Sequence, residues 1–240
     1  MSEKTIGILG GMGPEATLEC FAQIIKSTPA STDQQHLRVV IDSNPKVPDR
    51  TAAITGKGPS PVPALVDGCR ALQAAGADFI IMPCVSAHFY LAEIRQHIKL
   101  PVLSIYDAVA DAISSDHPDI KTVGLLGTTG TISGGLFQKR LAADNCKTIV
   151  PDDLQQAKVM AAIYDIKNSV TPRSRQHISS DLAAVAVSLV SGGAQAIIAG
   201  CTEIPLALKQ EHVPVIYFDV LTILARAAIV EAGMRPLAMP

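Results

Sequence analysis

The sequence predicts an α/β fold of two pseudo-symmetric, doubly wound domains, each with a mainly parallel sheet flanked by helices and with a ligand cleft between them. Three observations carry that expectation. Short β-rich runs alternate with longer helical patterns, as βαβ units do. The chain also repeats itself: Ile6-Gly-Ile-Leu-Gly-Gly-Met-Gly13 parallels Val123-Gly-Leu-Leu-Gly-Thr-Thr-Gly130, and Gly76-Ala-Asp-Phe-Ile-Ile-Met-Pro-Cys84 parallels Gly193-Ala-Gln-Ala-Ile-Ile-Ala-Gly-Cys201. Both pairs share one gapless offset of 117 residues (6 to 123, 84 to 201). Finally, 48% of the 240 residues are hydrophobic but only 4% are aromatic and 18% charged, which suits an aliphatic core of parallel strands covered on both faces.

In chain order, strands are expected near 5–9, 37–42, 78–82, 101–104, 121–126, 147–150, 195–199 and 214–217. Helices are expected over 14–27, 62–75, 87–97, 106–115, 133–143, 153–168, 174–191, 204–210 and 219–232. Pro14 fits the first turn of a helix, where its missing N–H is harmless. The Pro/Gly-rich segment 44–63 reads as a long loop over the first half. Asp107 and Asp219 start helices and read as caps. The stretch 182–200 is apolar enough to imitate a membrane span, but Ser188, Ser191, Gly192, Gly193 and Gln195 make it a helix, a turn and a buried strand. The first half spans 1–119 and the second 120–240, and the terminal helix 219–232 can complete the first half.

Composition also excludes functions. A net charge of −2 leaves no electrostatic footprint for nucleic acid or an acidic membrane surface. Five scattered cysteines and no secretory leader point to a reducing cytoplasm. No spacing among them suits a metal.

Cys84 and Cys201 each follow a buried strand and precede a helix, at the carboxyl ends where open parallel sheets bind ligands. A helix N-terminus would draw either thiol toward thiolate, with Ser86 and Thr202 as N-caps just beyond. Thiols presented from two facing halves suit the removal of a proton from one face of a carbon and its return to the other. Cys20, Cys69 and Cys146 lack this setting and read as buried small hydrophobes. The repeat offset also pairs Arg50 with Lys167, either as a carboxylate clamp or as two solvated cations. His88 is either a proton relay or a packed ring, and Glu203 either assists proton traffic or favours a helix N-terminus. Gly7-x-x-Gly10-x-x-Gly13 is a loose match to a dinucleotide fingerprint. A small carboxylate held by backbone N–H groups and threonine hydroxyls explains both glycine turns better.

Taken together, Gly7-Ile-Leu-Gly-Gly-Met-Gly-Pro14, Pro48-Asp-Arg-Thr51, Met82-Pro-Cys84 with Ser86-Ala-His88, Gly127-Thr-Thr-Gly-Thr131 and Gly200-Cys-Thr-Glu203 resemble the aspartate/glutamate racemases, over essentially the whole chain. The resemblance implies a cofactor-independent racemase, acting on aspartate or glutamate between two α/β domains, and a homodimer. It implies that Cys84 and Cys201 are the acid/base pair and that Arg50 and Lys167 bind the side-chain carboxylate. Met12, Val85, Ser86, Ala87, Thr128, Thr131 and Thr202 are the remaining substrate-binding positions so implied. The family typically reads Cys-Asn-Thr where this chain has Cys84-Val85-Ser86, so one amide contact to substrate is missing. Rival readings are a racemase or isomerase of another small amino or carboxylic acid, a nucleotide-binding oxidoreductase, and a noncatalytic binder of an acidic metabolite.

Overall fold

The computed structural model describes residues 3–168, 170 and 173–238. The first half runs β1 (Ile6–Gly10), α1 (Pro14–Ser27), β2 (Val39–Ser43), α2 (Arg50–Ile54), α3 (Val62–Ala74), β3 (Phe79–Ile81), a 3₁₀ turn over Ser86–Tyr90, α4 (Leu91–Ile94) and α5 (Ile105–Asp116). The second runs β4 (Thr122–Gly127), α6 (Thr129–Gly134), α7 (Leu136–Ala143), β5 (Lys147–Ile149), α8 (Asp153–Lys167), α9 (Arg175–Ser191), β6 (Ala196–Gly200), short 3₁₀ turns, β7 (Ile216–Asp219) and α10 (Val220–Glu231).

The strands form two parallel sheets, ordered β2-β1-β3 and β5-β4-β6-β7. Their registers preserve the sequence repeat. Ile6 faces Phe79 in the first sheet, and Val123 faces Ala196, the same offset on, in the second. β1, β3 and β6 are buried along their whole length because helices cover both faces of each sheet. Ile6, Ile8, Phe79 and Ile81 share one core with Val123, Leu125 and Ile198, closed by Leu221, Leu224 and Ala228 of α10. That helix lies against both α1 and α5, so the chain's last element packs on its first helix. The opposite faces are covered by α3 over Leu9 and Ile80, and by α8 and α9 over Leu126 and Ile197.

Several local expectations are corrected. Residues 101–104 make only the isolated bridge of Ile80 with Val102, not a strand. Pro101 has no N–H to give, and Ser104 has already turned away to cap α5 by accepting the Asp107 N–H. Asp107 therefore lies inside the first turn of α5, whereas Asp219 does cap α10, accepting the N–H groups of Leu221 and Thr222. The helix expected over 87–97 is a 3₁₀ turn plus α4. The His88 ring reaches the Cys84 carbonyl, and its backbone N–H takes the Val85 carbonyl, one residue closer than α geometry requires. Gly135, at φ 65°, splits the helix expected over 133–143, and the one expected over 204–210 is a single 3₁₀ turn over Ile204–Leu206. Asp49 caps α2, so the segment expected to be pure loop over 44–63 carries a helical turn led by Arg50.

The turn after β1 depends on Gly11, whose φ is +86° and whose N–H donates to Thr17 Oγ1 at 2.8 Å. A side chain there would meet the backbone of Asn44. Gly11→Ala is therefore expected to destabilise the fold by roughly 2 kcal/mol or more. Urea unfolding checks this, and unchanged stability would show that the turn yields freely.

Candidate active site

Both repeated turns end at one cavity, because parallel strands deliver β1, β3, β4 and β6 to it by their carboxyl ends. Cys84 follows β3 and Cys201 follows β6, with 4% and 5% of their surfaces exposed. Both thiols line the cavity, as do Met12, Arg50, Val85, Ser86, Thr128, Thr131, Lys167, Thr202 and Glu203. Its free volume is ≈ 20 Å³, room for about one water. A larger vestibule of ≈ 830 Å³ adjoins it and shares the wall formed by Met12, Arg50, Lys167 and Glu203.

Ala87 is the sequence-predicted site residue that does not reach the cavity. As the second residue of the 3₁₀ turn it packs instead with Met82, Leu91 and Ile94. Neither hydroxyl residue beside the thiols is an N-cap. Ser86 Oγ lies 3.7 Å from Cys84 Sγ, and Thr202 Oγ1 donates across the cleft to the Pro83 carbonyl at 3.1 Å. Thr128 does cap α6, accepting the Thr131 N–H, and the two hydroxyls lie 3.0 Å apart. Sequence reasoning did not select Met160, Ile163 and Tyr164, which also line the cavity. Their signal was present: with Lys167 they occupy one face of α8 at i, i+3, i+4 and i+7. Asp49 and Thr51, flanking Arg50 at the start of α2, were likewise passed over.

Arg50 and Lys167 converge although they come from unlike elements, the first turn of α2 and the last residue of α8. Both donate to the Met12 carbonyl, at 3.0 and 3.2 Å. Arg50 also donates to the Val47 and Pro48 carbonyls, while its Nε is buried without an acceptor. Burial opposes the Arg50 cation, but Cys84 beside it, with Asp49 and Glu203, raises its pKa above the ordinary value. Lys167 follows the same pattern: burial opposes its charge, and the Glu203 carboxylate leads the charges that raise its pKa above the ordinary value.

Glu203 is 3% exposed and fully engaged. Its Oε1 accepts Lys167 Nζ at 2.6 Å and the Gly13 N–H at 3.1 Å; its Oε2 accepts the Cys201 thiol at 3.0 Å and, at 3.4 Å, shares the Thr202 hydroxyl proton with the nearer Pro83 carbonyl. Burial and then this carboxylate push the Cys201 pKa well above a free thiol's. The helix-dipole expectation is thereby corrected at Cys201, which precedes only a 3₁₀ turn and faces a negative charge. Burial also holds Cys20 and Cys69 up at about 12, and all five cysteines are free and buried. Among the described residues no group of His, Cys, Asp and Glu could hold a metal ion, and no helix is long and apolar enough to cross a membrane.

Two buried rings hold the first thiol's backbone. Tyr106 donates its hydroxyl to the Val85 carbonyl at 3.1 Å. His88 Nδ1 lies 2.9 Å from the Cys84 carbonyl and Nε2 lies 3.3 Å from that of Leu103. Two carbonyl partners favour a doubly protonated ring, but burial dominates and drives the His88 pKa from 6.5 down to about 4. A neutral ring has one N–H, which we assign to the shorter contact. His88 thus braces the turn and does not touch the Cys84 sulfur. Below the ordinary 6.5 the unfolded imidazole takes up a proton that the buried ring refuses. Stability from this group is therefore complete above about pH 6.5 and declines toward about pH 4, by on the order of 3 kcal/mol. Urea unfolding across that range should show the loss, and His88→Gln should flatten it; equal slopes in the two proteins would rule this account out.

Comparison with known proteins identifies the family and the fold. The Asp/Glu/Hydantoin racemase family matches residues 9–228. The broad specificity amino-acid racemase RacX of Bacillus subtilis (strain 168) is 34% identical over 219 residues, covering 88% of this chain and 91% of that protein. The Picrophilus torridus aspartate racemase structure superposes with a TM-score of 0.85 at 31% identity, covering 98% of this chain and 96% of that one. An aspartate racemase homologue from Pyrococcus horikoshii OT3 gives 0.72 at 27% identity, covering 96% and 99%. Sequence match and superposition both extend over nearly the whole chain, and the protein belongs to the Asp/Glu/Hydantoin racemase family.

Proposed function

We propose that this protein racemises an acidic amino acid, aspartate before glutamate, by a two-base proton transfer at the α-carbon that requires no cofactor. The observation that carries the reading is the meeting of Cys84 and Cys201, from opposite halves, on one cavity with two cations in its wall. In one direction the Cys84 thiolate takes the α-proton, and the C–H electron pair passes into the α-carboxylate as an enediolate. The Cys201 thiol then gives its proton to the opposite face of the carbon and is left as a thiolate. In the other direction the roles exchange. Oriented donors must stabilise the enediolate, and Ser86, Thr128 and Thr131 present hydroxyls to the cavity.

On this reading Arg50 and Lys167 take the substrate's second carboxylate. Both now share the carbonyl of Met12, a weaker acceptor than a carboxylate, and the Arg50 Nε has no acceptor. An amino acid does not fit ≈ 20 Å³, so binding on this reading parts the wall shared with the vestibule and closes again to exclude water. The Picrophilus torridus relative, an aspartate racemase, supports the acidic substrate. Racemisation of another small amino acid is the second reading. It is favoured by Val85 in the cavity wall, by Glu203 already neutralising Lys167, and by the broad specificity of the Bacillus subtilis relative. Assembly as a homodimer, implied by the family resemblance, and the reducing cytoplasm expected from the five scattered cysteines complete the proposal.

Proton NMR of L- and D-amino acids incubated with the protein in D₂O tests chemistry and substrate together: aspartate should lose its α-proton signal, and an unaltered panel would end the racemase reading. Cys84→Ala and Cys201→Ala should each abolish racemisation while leaving one-sided α-proton exchange. Robust racemisation by either variant would exclude the two-thiol scheme. Arg50→Ala should raise KM for aspartate by roughly 10–100-fold, the loss of one charge-assisted contact, and change neutral amino acids much less. Equal effects on both classes would remove Arg50 from carboxylate binding.

A further inference from the structure

The repeated halves place unlike partners on their two thiols. Cys201 donates to Glu203 Oε2 at 3.0 Å, whereas the side-chain neighbours of Cys84 are the Ser86 hydroxyl at 3.7 Å and the Arg50 guanidinium. Lys167 and Tyr164 of α8 line the same cavity as both thiols. Asp49, the other carboxylate on the cavity wall, accepts the Ala52 N–H as the cap of α2 and flanks Arg50.

We infer that Glu203 is a positioning residue that makes the two thiols unequal, holding Cys201 protonated in the resting enzyme so that Cys84 begins the cycle as base and Cys201 as acid. The inference rests on the two-thiol reading above and assigns the sulfur that is base in the resting enzyme; the opposite enantiomer reacts from the reverse protonation state, in which the roles exchange. A carboxylate accepting the S–H proton stabilises the thiol, and it repels the thiolate that forms once that proton has gone to the substrate carbon. After one turnover Cys84 carries the α-proton and Cys201 is a thiolate beside Glu203. Release of the Cys84 proton to water and uptake of a proton from water by Cys201 restore the starting state, with no net change in protons. Lys167 limits the repulsion, because its ammonium binds the other oxygen of the same carboxylate. The predicted signs are therefore opposite: removing Glu203 eases ionisation of Cys201, and removing Lys167 hinders it.

The test is the pH dependence of iodoacetamide alkylation at each cysteine, read by peptide mass spectrometry in the wild type, Glu203→Gln, Glu203→Asp and Lys167→Met. The pH midpoint separates ionisation from access, and Cys84 serves as the internal reference. Near neutral pH Cys201 should react more slowly than Cys84 in the wild type. Glu203→Gln should speed Cys201 roughly tenfold or more relative to Cys84, about one pH unit in its midpoint, and Glu203→Asp should return it toward wild type. Lys167→Met should slow Cys201 further, and this arm decides the matter if Glu203→Gln does not fold. An unmoved Cys201 midpoint in Glu203→Gln, equal shifts at both cysteines, or faster Cys201 alkylation in Lys167→Met would overturn the inference. The alkylation pattern is independent of turnover. Expected shifts without α-proton exchange on any amino acid would leave Glu203 its role and remove the racemase reading, while exchange without the shifts would do the reverse.

Discussion

A buried carboxylate must be paired, and Glu203 has drawn four groups around itself to satisfy that demand. Its two oxygens hold the ammonium of Lys167, the N–H of Gly13, the thiol of Cys201 and the hydroxyl of Thr202. Gly13 belongs to the first half and the other three to the second, so one side chain fixes the halves against each other at the site. Taking away one partner of such a pair commonly costs about 3–5 kcal/mol, because the remaining charge stays buried without compensation. That penalty sets the end of α8, the turn after β1 and the position of one sulfur together.

The Met12 carbonyl complements this arrangement from the other side. Two cations share one neutral oxygen; Lys167 has Glu203 as its counter-ion, while Arg50 donates to carbonyl oxygens. The acceptor lies in the wall between a water-sized cavity and a large vestibule, where an arriving anion would meet it. Chemistry and access thus depend on the same few atoms. Thr202, donating to the Pro83 carbonyl, adds a second tie across the cleft, directly between the two turns that carry the thiols.

Much of the architecture was legible because repetition and parallel pairing are both local codes. Apolar runs such as 79–81 and 196–198 announced buried strands, and the shared offset carried into the strand register without a gap. Errors gathered where a side chain competes with regular backbone pairing. His88 takes a carbonyl and tightens its turn to 3₁₀, Ser104 ends pairing at Val102, and Asp49 starts α2 inside an apparent loop. Each is a single hydrogen bond set by three-dimensional placement, which periodicity cannot register.

The pairing of Arg50 with Lys167 shows where the two levels of description part. Equal spacing suggested equivalent positions, yet one residue opens a five-residue helix and the other closes a fifteen-residue one. They meet only because α2 and α8 approach the same cavity from opposite halves. By itself the sequence determined the α/β class, the duplication, the two cysteines at matched strand ends and the family resemblance, all of which are written in composition, period and short motifs. Tertiary structure alone decided that Ala87 faces the core, that α8 lends Met160, Ile163 and Tyr164 to the cavity, and that Glu203 binds Cys201 and Lys167 at once. Those outcomes depend on which polar groups are buried together, and burial belongs to the packed chain as a whole and not to any stretch of it.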